Sequence, residues 1–282
     1  MKSIKHYCYL NQKIILNRLL NISSMKISVV TPSFNQGRFI EQTILSVLEQ
    51  DYSNFEHIIM DGGSEDNTID ILKKYKHLKW ISEKDSGQTS AINKGVALAT
   101  GEICTWLNSD DYFEKNIFSL IVEFFEQNPS CDLLYGDITY VDQENNLLFR
   151  IKGDEINFNS LLHNPDLIRQ PSFFWRRDKF FEFGGLDESL NLVMDLDLFL
   201  KFFKYGNTFY INRNLSFYRT YPSTKTLSKR KDQAVEIYRV MRRYSERISL
   251  DMYWFVIKRY LGLPCFIPTI KKIIRKLSQQ SQ

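Results

Sequence analysis

Apolar and polar positions alternate along this chain in two rhythms that trade places. Lys26-Ile27-Ser28-Val29-Val30 is a β-branched apolar run halted by Thr31-Pro32-Ser33, which predicts a first strand. Past the loop Phe34-Asn35-Gln36-Gly37, the residues Ile40, Ile44, Val47 and Leu48 share one face at helical spacing. A second strand runs from Phe55 to Met60 and ends in Asp61-Gly62-Gly63-Ser64. Ser64, followed by Glu65 and Asp66, then reads as a helix start ahead of Ile69, Leu72 and Tyr75. A short strand from Leu78 to Ser82 gives way to Glu83-Lys84-Asp85-Ser86-Gly87. The next helix is expected from Thr89 to Ala99, with Gly101 closing it. The strand from Ile103 to Leu107 runs straight into Asn108-Ser109-Asp110-Asp111.

Strand, loop and helix repeated this regularly predict a parallel sheet with helices on both faces, an α/β architecture. Ligands of such sheets bind beyond the carboxyl ends of the strands. Those ends carry Thr31-Pro32-Ser33, Asp61-Gly62, Asp85 and Asp110-Asp111, and three of the four hold carboxylates. Farther on, a helix is expected over Ile117 to Phe125, then strands over Asp132 to Val141 and Leu147 to Lys152. A helix near Leu196 to Tyr205 follows, and a helical tail from about Asp232 is broken by Pro264 and Pro268.

Composition narrows the picture. With 282 residues, 43% hydrophobic and 25% charged, the chain has enough apolar material for one large domain plus appendages. The 21 Phe and 15 Tyr suit a core, but also stacking on sugars or bases and membrane interfaces. Cys8, Cys104, Cys131 and Cys265 show neither CxxC spacing nor histidine companions, which argues against a zinc site or a disulfide framework and fits a reducing compartment. His6, His57, His77 and His163 lack metal spacing. No glycine-rich phosphate loop or nucleophile elbow occurs, and Lys and Arg form no basic stripe for nucleic acid. No stretch reaches the roughly 20 apolar residues of a membrane span, and the N-terminus lacks a signal-peptide pattern. Residues 1–24 read as a peripheral extension, with Met25 an alternative start.

Asp110 and Asp111 sit in a tight turn where a hard cation could be held by carboxylate oxygen and substrate phosphates. The competing reading has one of them capping a helix that begins near Phe113. Asp61, ahead of two glycines, could accept hydrogen bonds from a base or ribose, or could simply form an Asp-Gly turn. Asp195, in Val193-Met194-Asp195-Leu196-Asp197, could act as a general base; alternatively Asp195 and Asp197 are first-turn acids favoured by the helix dipole.

Five blocks in order resemble the family 2 glycosyltransferases, over roughly Lys26 to Ser228. They are Val29-Val30-Thr31-Pro32-Ser33-Phe34-Asn35; Ile59-Met60-Asp61-Gly62-Gly63-Ser64 with Asp66-Asn67-Thr68; Glu83-Lys84-Asp85-Ser86-Gly87-Gln88 with Ala91-Ile92-Asn93-Lys94-Gly95; Trp106-Leu107-Asn108-Ser109-Asp110-Asp111; and Gly184-Gly185-Leu186-Asp187-Glu188 with Met194-Asp195-Leu196-Asp197-Leu198. The resemblance implies a GT-A fold, a Rossmann-like, mostly parallel sheet flanked by helices with a helical C-terminal extension. The domain divisions expected are 1–24, a catalytic domain over 25–230, and a helical basic segment over 231–282. It further implies inverting transfer from a nucleotide-diphosphate sugar to an acceptor hydroxyl, with Asp195 as base and Asp110 binding Mg²⁺ or Mn²⁺. Thr31, Pro32, Phe34, Asp61 and Asp85 would surround the nucleotide, with Asn108 and Ser109 beside the donor and Gln170 near sugar or acceptor.

Two positions depart from the family pattern. Asn108 replaces the first Asp of Asp-x-Asp, which predicts weaker or altered metal dependence. Tyr221 stands where many relatives carry a histidine, which leaves the third metal ligand open. From Tyr253 the tail is aromatic and then basic, with Ile270, Ile273, Ile274 and Leu277 at helical spacing. This fits either an anionic membrane surface or packing on the domain. The expectation is a cytoplasmic, membrane-peripheral enzyme acting on a glycan or lipid-linked acceptor in surface polysaccharide or lipopolysaccharide assembly. A catalytically silent nucleotide-sugar-binding scaffold is the alternative. A nucleotidyltransferase is a third, but its phosphate loop is missing.

Overall fold

A computed structural model describes residues 25–152, 156–168, 170–222 and 224–263. Its first half is built of β1 (Ile27–Ser33), α1 (Ile40–Leu48), β2 (Phe55–Asp61), α2 (Thr68–Leu72), β3 (Leu78–Ser82), α3 (Gln88–Leu98) and β4 (Ile103–Trp106). Then come β5 (Tyr112–Phe113), α4 (Phe118–Gln127), β6 (Leu133–Val141), β7 (Leu147–Ile151), α5 (Phe158–His163), β8 (Phe173–Arg176) and α6 (Arg177–Glu182). α7 (Met194–Tyr205), β9 (Thr208–Arg219), α8 (Lys225–Ser228), α9 (Arg230–Tyr244) and α10 (Leu250–Tyr260) complete the order. Among the described residues these strands form one sheet, ordered β3-β2-β1-β4-β8-β6-β9-β5, with β7 paired to β6.

Strands β3, β2, β1 and β4 run parallel. Beyond them β8 is antiparallel to both β4 and β6, whereas β6 and β9 run parallel. Every residue of β1 is buried, as expected of a central strand covered on both faces. The two-residue period sends Val30, Ile58, Met60 and Trp106 into a core shared with α3, α7, α9 and α10. It sends Ile27, Val29 and Ile103 to the opposite face, against Phe118 and Phe125 of α4. Ring contacts tie the larger core together: Trp106 stacks on Phe199 at 5.6 Å and meets Trp175 edge-on at 5.2 Å.

The structure revises several local expectations. β1 does not stop at Val30 but continues through Thr31, Pro32 and Ser33 in register with Ile59, Met60 and Asp61. The Val30 carbonyl accepts from Leu107 N on the β4 side and the Ser33 carbonyl from Gly62 N on the β2 side. Pro32 therefore faces the β4 side, where pairing has already ended, and its missing N–H forfeits no ladder bond. Ser64 starts no helix; α2 begins at Thr68, and Ser64 bonds Asp61 instead. Leu48 is exposed, and Thr43 takes the buried place on α1 by donating to the carbonyls of Ser109 and Asp111. No helix starts near Phe113, which lies in β5, so Asp110 and Asp111 cap nothing there. Gly101 has no left-handed cap conformation; it is needed because a Cβ there would lie 2.5 Å from the Lys26 carbonyl oxygen.

Past residue 230, Ile237, Val240, Met241, Met252 and Phe255 join the same core as Trp106 and Phe199. α9 and α10 are thus packed against the α/β body. No helix of the described residues is long and apolar enough to cross a membrane. The expected segments 1–24 and 270–277, with Cys8, Cys265, Pro264 and Pro268, lie outside the described residues.

Candidate active site

Because β1 to β4 are parallel, the loops after Ser33, Asp61, Ser82 and Trp106 emerge at one edge of the sheet. They surround a cavity of about 1090 Å³ that extends past the N-terminus of α7 to the end of β9 and to α9 and α10. Pro32, Phe34, Asp85, Asn108, Ser109, Asp110, Gln170 and Asp195 all stand in its wall. Phe34 is 59% exposed there, an aromatic face presented to the opening.

Thr31 and Asp61 lie behind that wall. Thr31 is buried, with its hydroxyl 2.9 Å from His57 Nε2, and burial lowers the His57 imidazole to about 3, with His77 adding to the effect. The Asp61 carboxylate is 2% exposed and accepts from Gly63 N, Ser64 N, Ser64 Oγ and Ser82 Oγ at 2.5–3.1 Å. It therefore shapes the loop whose Gly62 and Gly63 backbone reaches the cavity. Gly63 has φ +82°, which glycine adopts without strain. Asp85 accepts from Gly87 N at 2.7 Å and sits against Gly62, where an added Cβ would lie 3.2 Å from its Oδ2.

The two acids after β4 point in different directions. Asp111 is 1% exposed and turned inward, accepting from Arg219 N at 2.9 Å and Asn108 Nδ2 at 3.1 Å. Burial and the neighbouring Asp110 charge raise its carboxyl well above the usual range. Asp110 faces the cavity; its carboxyl is also raised by burial, opposed by a 2.8 Å hydrogen bond donated by the Tyr221 hydroxyl. Arg219 Nε donates to the Asp110 carbonyl, and the guanidinium lies over the Phe39 ring.

Asn108 is the centre of an amide chain. Its Nδ2 also donates to Gln170 Oε1 at 3.1 Å, its Oδ1 accepts from Gln88 Nε2 at 2.8 Å, and Gln170 Nε2 donates to the Trp106 carbonyl at 2.6 Å. Lys225 Nζ donates to Gln88 Oε1 at 3.0 Å, and burial lowers that ammonium. Sequence reasoning assigned no site role to Gln88, Lys225 or Arg219, although Gln88 lies within one of the blocks that carry the family resemblance. Gln88 is one residue of a helix start, and Lys225 and Arg219 are ordinary cations until the end of β9 and α8 fold back on the β4 loop.

Asp195 and Asp197 also separate. Asp197 is 2% exposed and pairs with Lys201 at 3.1 Å and Arg243 at 3.2 Å, so it is a structural acid. Asp195 stands in the cavity wall and accepts from Leu196 N at 2.9 Å through Oδ1. Burial pushes its carboxyl up to about 6, which the Leu196 N–H and Arg259 partly oppose. A carboxylate that reaches the cavity with a raised proton affinity can remove a proton from a bound hydroxyl. Asp110 and Asp195, 85 positions apart in the chain, share this one cavity.

Solved structures place the architecture. TarS 1-349 of S. aureus, in complex with UDP-GlcNAc, superposes with a TM-score of 0.64 at 19% identity, over 84% of this chain and 72% of that one. The mannosyltransferase PcManGT from Pyrobaculum calidifontis, in complex with GDP-Man and Mn2+, gives 0.58 at 15% identity, over 81% and 66%. At these identities the likeness defines the fold, which is GT-A. Residues 28–185 match the model of glycosyl transferase family 2, and the chain belongs to that family. Among curated relatives, an uncharacterised glycosyltransferase of Rickettsia prowazekii is 28% identical over 200 residues, 67% of this chain and 62% of the relative. Chondroitin synthase of Escherichia coli is 26% identical over 236 residues, 80% of this chain and 34% of that protein. The chain spans between about a third and just under two thirds of the first curated relatives it matches.

Proposed function

We propose that this chain transfers a glycosyl group from a nucleotide-diphosphate sugar to an acceptor hydroxyl, with inversion at the anomeric carbon. The observation that carries the reading is the shared cavity: Asp110 on the β4 loop and Asp195 on α7 line a single space of about 1090 Å³. That volume is at the upper end for one small ligand, leaving room for donor and acceptor together. Family membership and the nucleotide-sugar complexes of TarS and PcManGT support the same assignment.

Pro32, Phe34, Gly62, Gly63 and Asp85 form the side of the cavity suited to a base and ribose, with Asp61 and Thr31 supporting it from behind. Asn108 and Ser109 lie beside the diphosphate position, and Gln170 beside the sugar or acceptor. Among the described residues no three His, Cys, Asp or Glu side chains converge. A donor set of one carboxylate fits a hard cation such as Mg²⁺ or Mn²⁺, which keeps waters and takes phosphate oxygens as further ligands. Asp110 would hold it, and it would neutralise charge on the departing diphosphate. Asp195 accepts the acceptor proton as the acceptor oxygen attacks from the face opposite the leaving group.

The acceptor is a glycan or a lipid-linked acceptor, and the work is done at the cytoplasmic membrane surface. Trp254 and Tyr260 of α10 are about half exposed, with Lys258 above the Trp254 ring at 5.3 Å and Lys231 above Tyr260 at 5.5 Å. Aromatic faces flanked by cations suit an anionic interface.

A second reading has one specific observation in its favour: the Tyr221 hydroxyl already occupies an oxygen of Asp110, as it would in a silent nucleotide-sugar-binding protein. Donor turnover in Asp110→Ala and Asp195→Ala, beside thermal stabilisation by a panel of nucleotide sugars with Mg²⁺ or Mn²⁺, separates the two. Loss of turnover in both variants with stabilisation retained in Asp195→Ala supports catalysis; turnover unchanged in both refutes it.

A further inference from the structure

The cavity has a second aromatic wall that the donor and the proton transfer leave unused. Phe149 of β7, Tyr140 of β6 and Tyr218 of β9 are register partners, so their side chains stand in one row across three adjacent strands. Tyr140 stacks on Phe149 with centroids 4.5 Å apart and planes 17° from parallel, and it meets Tyr218 at 5.0 Å. All three rings line the cavity, as does Ile138, two residues before Tyr140 on the same face. The core rings of Trp106 and Phe199 are enclosed, but Phe149 is 49% exposed and Tyr140 and Tyr218 only partly covered.

The row is tied directly to the reacting centre. Tyr218 precedes Arg219, which bonds the Asp110 carbonyl and Asp111, and lies three residues before Tyr221, which bonds the Asp110 carboxylate. The rings and Asp110 thus line one cavity, joined through the short segment from Tyr218 to Tyr221.

A partly exposed row of aromatic rings, its outermost member Phe149 half exposed, suits a ligand that has an apolar face and a polar edge. A pyranose ring presents both: C–H groups on its face, hydroxyls around its rim. Thr220, which carries a hydroxyl, also stands in the cavity wall. We propose that Phe149, Tyr140 and Tyr218 form a stacking platform for a pyranose ring of the acceptor, so that the acceptor is a glycan and not a simple alcohol or a protein side chain. The platform rests on the proposed transferase reading for its role, but not for its sugar binding.

The test uses saturation-transfer NMR on the full chain with two probes measured separately: octyl pyranosides of gluco, galacto and manno configuration, and UDP and GDP sugars. Phe149 lies on an exposed edge strand, so Phe149→Ala and Phe149→Leu should melt within a few degrees of wild type. The expected result is pyranoside binding weakened about tenfold in Phe149→Ala and Phe149→Leu and restored in Phe149→Trp, with nucleotide-sugar signals unchanged. Restoration by a ring but not by leucine separates stacking from mere apolar bulk. Equal pyranoside binding in wild type and Phe149→Ala, or no pyranoside binding by wild type, overturns the platform and leaves the donor reading standing. Loss of nucleotide-sugar signals alone, with pyranosides still dependent on Phe149, overturns the donor reading and retains the platform.

Discussion

Replacing Asp195 with Asn should inactivate the protein and at the same time stabilise it. Burial in the cavity wall moves the Asp195 carboxyl from 3.8 to about 6. At 1.36 kcal/mol per pH unit, that displacement corresponds to about 3 kcal/mol. Between pH 3.8 and 6 the folded chain binds more proton than the unfolded one, so stability declines as pH rises through that window. Above about pH 6 the full penalty of an ionised carboxylate in a partly desolvated cleft is present. Asparagine is neutral throughout and its amide oxygen can keep the bond from Leu196 N. Asp195→Asn should therefore exceed wild type by up to about 3 kcal/mol at pH 7.5, water in the open cavity trimming this figure, and by nothing near pH 4. Urea unfolding followed by tryptophan fluorescence at pH 4, 5, 6 and 7.5 reads the difference. Transfer should fall about 10²- to 10⁴-fold in the variant, and wild-type kcat/KM about tenfold from pH 7.5 to pH 5 as the base is protonated. Equal stability at pH 7.5, or a flat wild-type rate between pH 7.5 and 5, would refute the placement of an ionised base at Asp195.

Gly95→Ala tests how closely α3 lies on the sheet. The new methyl would meet Val30 Cγ1 at 2.4 Å and Met60 Cγ at 3.1 Å, so a loss of about 1–3 kcal/mol should outweigh alanine's helix preference, measured by chemical unfolding. Glu56 is 5% exposed; burial raises its carboxyl, but bonds from Lys79, Ser28, Thr100 and Lys26 overcome this and hold it well below the usual range. Glu56→Ala should cost about 2–4 kcal/mol at pH 7, and the deficit should shrink as pH falls below about 4, where the unfolded carboxyl protonates first; a pH-independent deficit would contradict this. Asp110→Asn should abolish the extra thermal stabilisation that Mn²⁺ gives to a bound nucleoside diphosphate, and EDTA should abolish it in wild type; an unchanged Mn²⁺ increment in the variant places the cation elsewhere.

Much of the sheet could be read directly from the chain, because a buried parallel strand announces itself by a β-branched apolar run. Ile27 to Val30, Phe55 to Met60 and Ile103 to Trp106 all do so, and their order fixes where the loops gather. Helix starts were less legible. Ser64 carries every local sign of an N-cap, yet the Asp61 carboxylate claims its hydroxyl and its N–H, and that competition involves a strand end. The competing reading began a helix near Phe113, which instead pairs with Ser216 of β9, about a hundred residues away. Local pattern cannot weigh a partner that distant.

The acids divide in the same way. The sequence by itself determined which carboxylates end the parallel strands, since that depends on near neighbours and on the period of apolar residues. Local pattern left Asp110 and Asp111 equivalent, and likewise Asp195 and Asp197, and only the family resemblance favoured Asp110 and Asp195. Tertiary structure supplies the physical separation: Arg219 N holds Asp111 inward, and Lys201 and Arg243 take Asp197. The same holds for the row of Phe149, Tyr140 and Tyr218, three unremarkable aromatics until strand register aligns them. A side chain's role depends on what burial and pairing leave of its polar atoms and ring faces, and those partners are set by chain closure over many tens of residues.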